Sequence, residues 1–353
     1  MSDERALRRR GIGRTVLGAL LAVLVVGVIV VNTTPWPSAM LIRSVFEQGG
    51  TRTAAAMEQH VPDVEFTEHR DVQYAEGSPS PGTTASDTTL DVFSPADGDE
   101  ALPTVVWVHG GAWISGFKSD VDPYLRILAA EGYTTVGLDY TRGPDAAYPT
   151  AVRQLNEALA FLQVHADEYR IDPDRIVIAG DSAGGNLASQ LAALITNADY
   201  AELMGIRPAL EADQLVGAIL NCGVYDMQAM ADLNGISAWG FKIALWSYTG
   251  TRNWSDEPPG LTMSTIRFAT EDFPATYITG GNGDGLTWLQ SIPMAQRLEE
   301  LGVDVTARFY EADHEPALPH EYQFQLDLDE AQVALQDTID FLDRVTAAAS
   351  DEG

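Results

Sequence analysis

Lysine is nearly missing from this chain. Only Lys118 and Lys242 occur, and arginine supplies the rest of the 21 basic side chains. Against them stand 51 acidic residues, a formal net charge of −30. A surface of that sign repels nucleic acid and anionic headgroups, so no nucleic acid is expected as a partner. Acidity with so little lysine fits adaptation to high salt, and equally a base composition favouring arginine. Cysteine is scarcer still. Cys222 stands alone, which excludes an intrachain disulfide, and its place at the end of an expected strand suits a small buried residue. No Cys/His cluster has metal-ligand spacing, so no metal and no cofactor are expected. Internal repeats are also absent.

Charge is missing from one long stretch. Thr15–Val31 is almost wholly apolar and follows a basic segment holding Arg5, Arg8, Arg9, Arg10 and Arg14. Seventeen helical residues reach about 25 Å, near the lower limit for a bilayer core. Trp36 follows at interfacial spacing. Two readings stand: a cleaved signal peptide releasing a secreted protein, and a retained signal anchor. The run exceeds a usual signal-peptide core and no A-x-A site follows it, which favours the anchor. The expected plan is a basic cytoplasmic tail at 1–14, a single-pass membrane segment at 15–31 and a linking helical region at 32–64. A catalytic domain at 65–353 then lies outside the cytoplasm.

The chemistry is announced at residues 180–186, Gly-Asp-Ser-Ala-Gly-Gly-Asn, directly after the apolar run Arg175–Ala179. This is G-x-S-x-G on a strand-to-helix turn, the form of a nucleophile elbow. Small residues at Gly180 and Gly184 permit a sharp turn that lifts the Ser182 hydroxyl clear of the chain. The N-terminus of the following helix favours an anion there. Upstream, a β-branched strand from Thr104 runs into His109-Gly110-Gly111-Ala112-Trp113, about 70 residues before the serine. Acyl transfer passes through an oxyanion that needs preorganised N–H donors, and a glycine turn brings backbone amides close enough to supply them. The amide of Ala183, after the nucleophile, is a further donor.

These paired motifs resemble the α/β-hydrolases of the hormone-sensitive-lipase-like carboxylesterase and lipase group, with their H-G-G-x-W loop and G-D-S-A-G-G elbow. The resemblance covers roughly residues 88–346. It implies Gly111, Ala112 and Ala183 as oxyanion donors, Gly110 as a loop-shaping residue and His109 as a structural brace. Ala112 departs from the third glycine of many members but keeps its N–H.

Such a serine needs an imidazole base and a carboxylate to orient it, and chain order in this fold runs Ser, acid, His. Only His314 and His320 follow Ser182. His314 falls just beyond the alternating strand Val303–Tyr310, where the base belongs, and is expected to fill that role. His320, after two prolines, reads as a loop or pocket-rim residue. The acid is expected at Asp284, on the glycine-rich turn Gly280–Gly285 after a short strand. That turn resembles the family's G-x-x-D-x-L segment and lacks the spaced carboxylates of a calcium loop.

Strands read at 104–109, 134–139, 175–180, 215–221, 275–280 and 303–310 alternate with helices near 121–131, 150–166, 185–197, 288–301 and 330–347. Leading antiparallel strands in 65–93 are interrupted by a loop at Gly77–Ser86. The expected class is α/β: an α/β-hydrolase fold, mostly parallel sheet with helices on both faces. The alternation lapses between Val224 and Phe273, so a small cap is expected at about 225–273. Trp113, Trp239 and Trp246 are candidates for the substrate pocket. The expected function is a serine carboxylester hydrolase acting on small-molecule or lipid esters. Amide hydrolysis, peptide hydrolysis and acyl transfer on the same residues are alternatives, and a non-catalytic binding protein is the rival outside enzymes.

Overall fold

A computed structural model describes residues 2–75, 85–233 and 235–347. Most of the loop expected at 77–86 lies outside them. Eight strands form one sheet: β1 (Phe66–Gln73), β2 (Thr89–Pro95), β3 (Leu102–Val108), β4 (Thr134–Leu138), β5 (Ile171–Asp181), β6 (Leu215–Asn221), β7 (Thr276–Thr279) and β8 (Val305–Arg308). Their spatial order is β1-β2-β4-β3-β5-β6-β7-β8. β2 pairs antiparallel with both β1 and β4, and every other pairing is parallel.

Strand alternation divides the core. On one face Val106, Val108, Ile176, Ile178, Ala218, Leu220 and Ile278 pack against α4 (Thr150–Val164), α5 (Ala183–Thr196) and α10 (Ile292–Glu300). The short α6 (Ala198–Met204) adds Tyr200 and Met204 to the same cluster. On the other face, Val105, Trp107, Val177, Ala179, Ile219 and Tyr277 meet α3 (Asp122–Ala130) and α11 (Asp329–Ala347). A period of two in a doubly covered sheet gives this division directly. The parallel strands all deliver their C-terminal ends to one edge, where ligands bind in open α/β sheets.

Helices outside the alternation cover that edge. From the stretch after β6 come α7 (Met227–Ala231), α8 (Ile236–Thr249) and α9 (Pro258–Met263). From the opposite end of the chain comes α2 (Trp36–Met57), opened by Pro37 in its first turn. Gly50 in α2 allows a close crossing: a Cβ there would sit 2.8 Å from the Asp120 carboxyl. α1 (Ser2–Thr33) precedes α2, and its large apolar side chains from Leu20 to Val31 are exposed. Among the described residues no single helix is long and apolar enough to cross a membrane. Ala19–Thr33 and Trp36–His60 reach that hydropathy only together, bent by 77°. The membrane-spanning segment expected at 15–31 is therefore not supported by the fold.

Candidate active site

Ser182 stands between β5 and α5 with φ 52° and ψ −117°. A non-glycine residue at positive φ is strained, and the surroundings must hold it. They do so through close backbone contact. A Cβ at Gly180 would lie 2.4 Å from the Gly184 carbonyl oxygen, and one at Gly184 only 2.0 Å from that of Val108. The Ser182 N–H donates to the Asn221 carbonyl at 2.8 Å. The elbow is thus clamped between β3 and β6, with the hydroxyl turned into a cavity of about 1020 Å³.

The imidazole beside that hydroxyl belongs to His320, not His314. His320 Nε2 lies 2.9 Å from Ser182 Oγ, and Nδ1 lies 2.6 Å from Asp284 Oδ2. With Nδ1–H donating to the carboxylate, Nε2 is left to accept the serine proton. Asp284 is fixed in turn by the Leu286 N–H, donated to its other oxygen at 2.9 Å. His314 corrects the expectation drawn from the sequence. Its Nε2 bonds Glu330 at 2.9 Å and its ring packs on Tyr310, away from the serine.

The cause is how the loop after β8 docks on the glycine-rich turn. Asn282 bridges them, donating to the His314 carbonyl at 2.9 Å and accepting from the Leu318 N–H at 2.8 Å. The Gly283 N–H donates to the Leu318 carbonyl at 2.9 Å. At Gly281 a Cβ would meet that same oxygen at 2.3 Å. The loop is carried past His314 before it turns inward, and His320 is the residue delivered to Asp284.

Burial is the strongest influence on His320 and disfavours its charged form. Cys222, the Asp284 hydrogen bond and Glu321 oppose it, and the net direction is well above the usual histidine range. The Cys222 thiol is itself pushed up by burial. It is therefore neutral at pH 7, which leaves the carboxylates as the effective charges there.

The turn after β3 is held as tightly. Gly111 has φ +104°, and a Cβ would fall 2.3 Å from the Ser115 carbonyl oxygen. Ala112 and Trp113 follow with φ 53° and 60°. Gly111 and Ala112 line the cavity beside Ser182, and Ala183 opens α5 next to it. His109 is buried and stacked on Tyr140, and its Nδ1–H donates to the Gly110 carbonyl at 2.7 Å. Burial pushes its pKa down to about 4, so it stays neutral and braces the loop. Gly110 lets two carboxyls approach: a Cβ there would lie 2.3 Å from Asp181 Oδ2 and 3.0 Å from Glu321 Oε1. Burial, and then Glu321, raise the Asp181 pKa well above the usual carboxylate range. Its Oδ1 accepts from the Trp107 indole at 2.8 Å.

Of the three tryptophans, Trp239 lines the cavity. Trp113 does not: it is fully buried and stacked on Tyr248. Trp246 does not either, because its ring is covered by Arg252 at 3.9 Å in a separate, smaller pocket. The missing walls are Leu41, Val45 and Phe46 of α2, with Phe241 of α8 and Leu286. The spaced apolar residues of 41–46 were the available signal for α2. For His320 it was the pair of loop prolines facing a turn rich in glycine. Among the described residues no group of three or more His, Cys, Asp or Glu side chains is placed to hold a metal ion.

The BD-FAE family model matches residues 90–298, more than half of the chain. The chain belongs to the BD-FAE family. Its fold is the α/β-hydrolase fold that the elbow and glycine loop imply. An acetyl esterase of Salmonella paratyphi B is 37% identical over 107 residues, 30% of this chain and 32% of that protein. The match thus spans about a third of the length of such curated relatives. Esterase B of Lactobacillus rhamnosis shares the fold at a TM-score of 0.72 and 22% identity, over 88% of this chain and 97% of its own. A bacterial heroin esterase aligns at 0.65 and 20% identity, over 86% and 90%.

Proposed function

We propose that this BD-FAE family member is a serine carboxylester hydrolase working through an acyl-enzyme. The observation that carries the reading is the relay from Ser182 Oγ through His320 to Asp284, at 2.9 and 2.6 Å. Ser182 Oγ attacks the ester carbonyl as its proton passes to His320 Nε2. The carbonyl oxygen becomes an oxyanion that the N–H groups of Gly111, Ala112 and Ala183 receive. His320 returns the proton to the departing alcohol, and the acyl group stays on Ser182. Water, deprotonated by His320, then releases the acid and restores the serine. Asp284 holds the imidazole tautomer and balances its transient charge. The acetyl esterase relative and the apolar cavity walls support a neutral acyl ester as substrate.

Replacing Ser182 by Ala tests this reading. Turnover of p-nitrophenyl acetate is expected to fall by a factor on the order of 10⁶ with the fold retained. An organophosphate is expected to label the wild type on Ser182 alone. Turnover at the wild-type rate in the variant would reject the assignment.

For location, we propose that the catalytic body sits at the outer face of a membrane. The reading rests on the arginine cluster at 5–14, the uncharged run after it and the exposed apolar side chains of α1. Fractionation of the producing cells tests it, with enzyme found only in the soluble cytoplasmic fraction as the refuting result.

A further inference from the structure

The turn proposed to hold the oxyanion contains a difficulty of its own. Ala112 and Trp113 are consecutive non-glycine residues at φ 53° and 60°. Such backbone is strained and persists only where neighbours over-determine it. Part of the support comes from within the loop. The Ile114 and Ser115 N–H groups donate to the Gly111 carbonyl at 3.1 and 3.0 Å, and Gly143 N–H donates to the Trp113 carbonyl at 2.8 Å. Two further carbonyls at this junction, those of Ile114 and Gly143, face a side chain from a different part of the chain.

That side chain is Arg43, in the middle of α2. Its Nε–H donates to the Ile114 carbonyl at 2.5 Å, and one terminal nitrogen donates both to the Gly143 carbonyl and to Asp145 at 2.8 Å. One guanidinium therefore ties together the residue after the strained pair and the segment that caps Trp113. Apolar packing repeats the connection. Ala112 and Ile114 cluster with Ala39 of α2 and with Ile243 and Ala244 of α8. The planar fork suits this geometry, since it aims two N–H edges at fixed acceptors, which a lysine cannot do.

We infer that Arg43 is a positioning residue for the oxyanion turn, so that α2 takes part in catalysis through the backbone it holds. The inference rests on the esterase reading above. α2 lies outside the stretch 90–298 matched by the family model, so the clamp is an addition to the matched core. With the guanidinium gone, the Gly111–Ala112 amides lose their fixed aim while Ser182, His320 and Asp284 stay in place. Displacements of about 1 Å at such donors cost on the order of 10²-fold in rate.

The experiment compares the full-length wild type with Arg43→Ala and Arg43→Lys. It reads kcat and KM on p-nitrophenyl acetate, the inhibition constant of an acyl trifluoromethyl ketone, and the thermal transition. In Arg43→Ala kcat is expected to fall about 30- to 100-fold with KM changed less than threefold. Affinity for the ketone, whose adduct carries the oxyanion, is expected to fall by the same factor as kcat/KM. Arg43→Lys is expected to lose about tenfold, and it decides the question if the alanine variant lacks the wild-type thermal transition. A folded Arg43 variant with kcat within twofold of wild type overturns the proposal. So does a loss of kcat with unchanged ketone affinity. A wild type that neither turns over the ester nor takes an organophosphate on Ser182 rejects instead the esterase reading.

Discussion

The floor of the site, at the strand ends, and its roof, formed by α2 and α8, are held by different means. On the floor the backbone itself is the fastener. Gly180 and Gly184 let β5, α5 and the end of β3 meet at distances that admit no side chain, and Gly281 does the same where the His320 loop docks. In the roof, side chains do the holding: Arg43 on three acceptors, and a small cluster of Ala39, Ile114 and Ile243. Three of the roof residues that line the cavity, Leu41, Val45 and Phe46, remain exposed. A floor without slack keeps reacting atoms in place, whereas a side-chain roof can change its lining without disturbing them.

The sharpest way to break this contrast is at the two histidines. His320→Ala is expected to lower kcat by 10⁴-fold or more, while His314→Ala stays within about threefold of wild type. Equal losses in both, measured on p-nitrophenyl acetate, would refute the geometric assignment. The same residue sets the pH profile. His320 must be neutral to act as the base, so kcat/KM is expected to fall on the acid side as the imidazole gains a proton. Asp284→Asn removes a carboxylate that favours the charged imidazole, and is expected to move the midpoint of that fall down as well as slow the reaction.

On the floor, Gly184→Ala places a methyl 2.0 Å from the Val108 carbonyl oxygen and 2.6 Å from that of His109. Both neighbours are backbone, so the strand end must shift. A loss of about 3 kcal/mol or more is expected from urea unfolding, or no soluble protein at all. In the roof, Phe46→Ala is expected to keep kcat on an acetyl ester within twofold. Meanwhile kcat/KM on an octanoyl ester falls about tenfold, as about 1.4 kcal/mol of apolar contact would give. An equal effect on both esters would mean that Phe46 does not contact the acyl chain.

What was legible in the sequence follows the same division. The elbow could be read because its parts are neighbours in the chain: the strand, the small residues and the serine all fall within 175–186. The sheet could be read because β-branched runs alternate with apolar helical spacing. His320 could not, because only five residues separate it from His314 and only the docking of Leu318 on Asn282 and Gly283 distinguishes them. Trp113 closes the glycine loop and Trp246 falls in the expected cap, yet packing on Tyr248 and Arg252 takes both away from the cavity. α2 was legible as a helix but not as a wall, since nothing local says what a helix will lie across.

The smallest expected effect lies where the roof meets the loop before α3. Burial raises the Asp120 pKa from 3.8 to about 6, opposed by its hydrogen bond from the Phe117 N–H. The folded state thus holds this proton more tightly than the unfolded chain. The stability it contributes is fully present below pH 3.8 and is lost as the pH rises through 6. Asp120→Asn keeps an acceptor for Phe117 and is expected to stabilise the fold by about 1 kcal/mol at pH 7, given its partial exposure to solvent. In thermal unfolding the gain should shrink toward pH 4.

Glu321 lies beside the reacting pair, its Oε1 3.7 Å from His320 Nε2. Under the proposed reaction each cycle converts a neutral guest into an anion within reach of that carboxylate, inside a molecule of net charge −30. Electrostatic repulsion then drives the freed acid outward and discourages its return, so accumulated acetate should slow this catalyst only weakly.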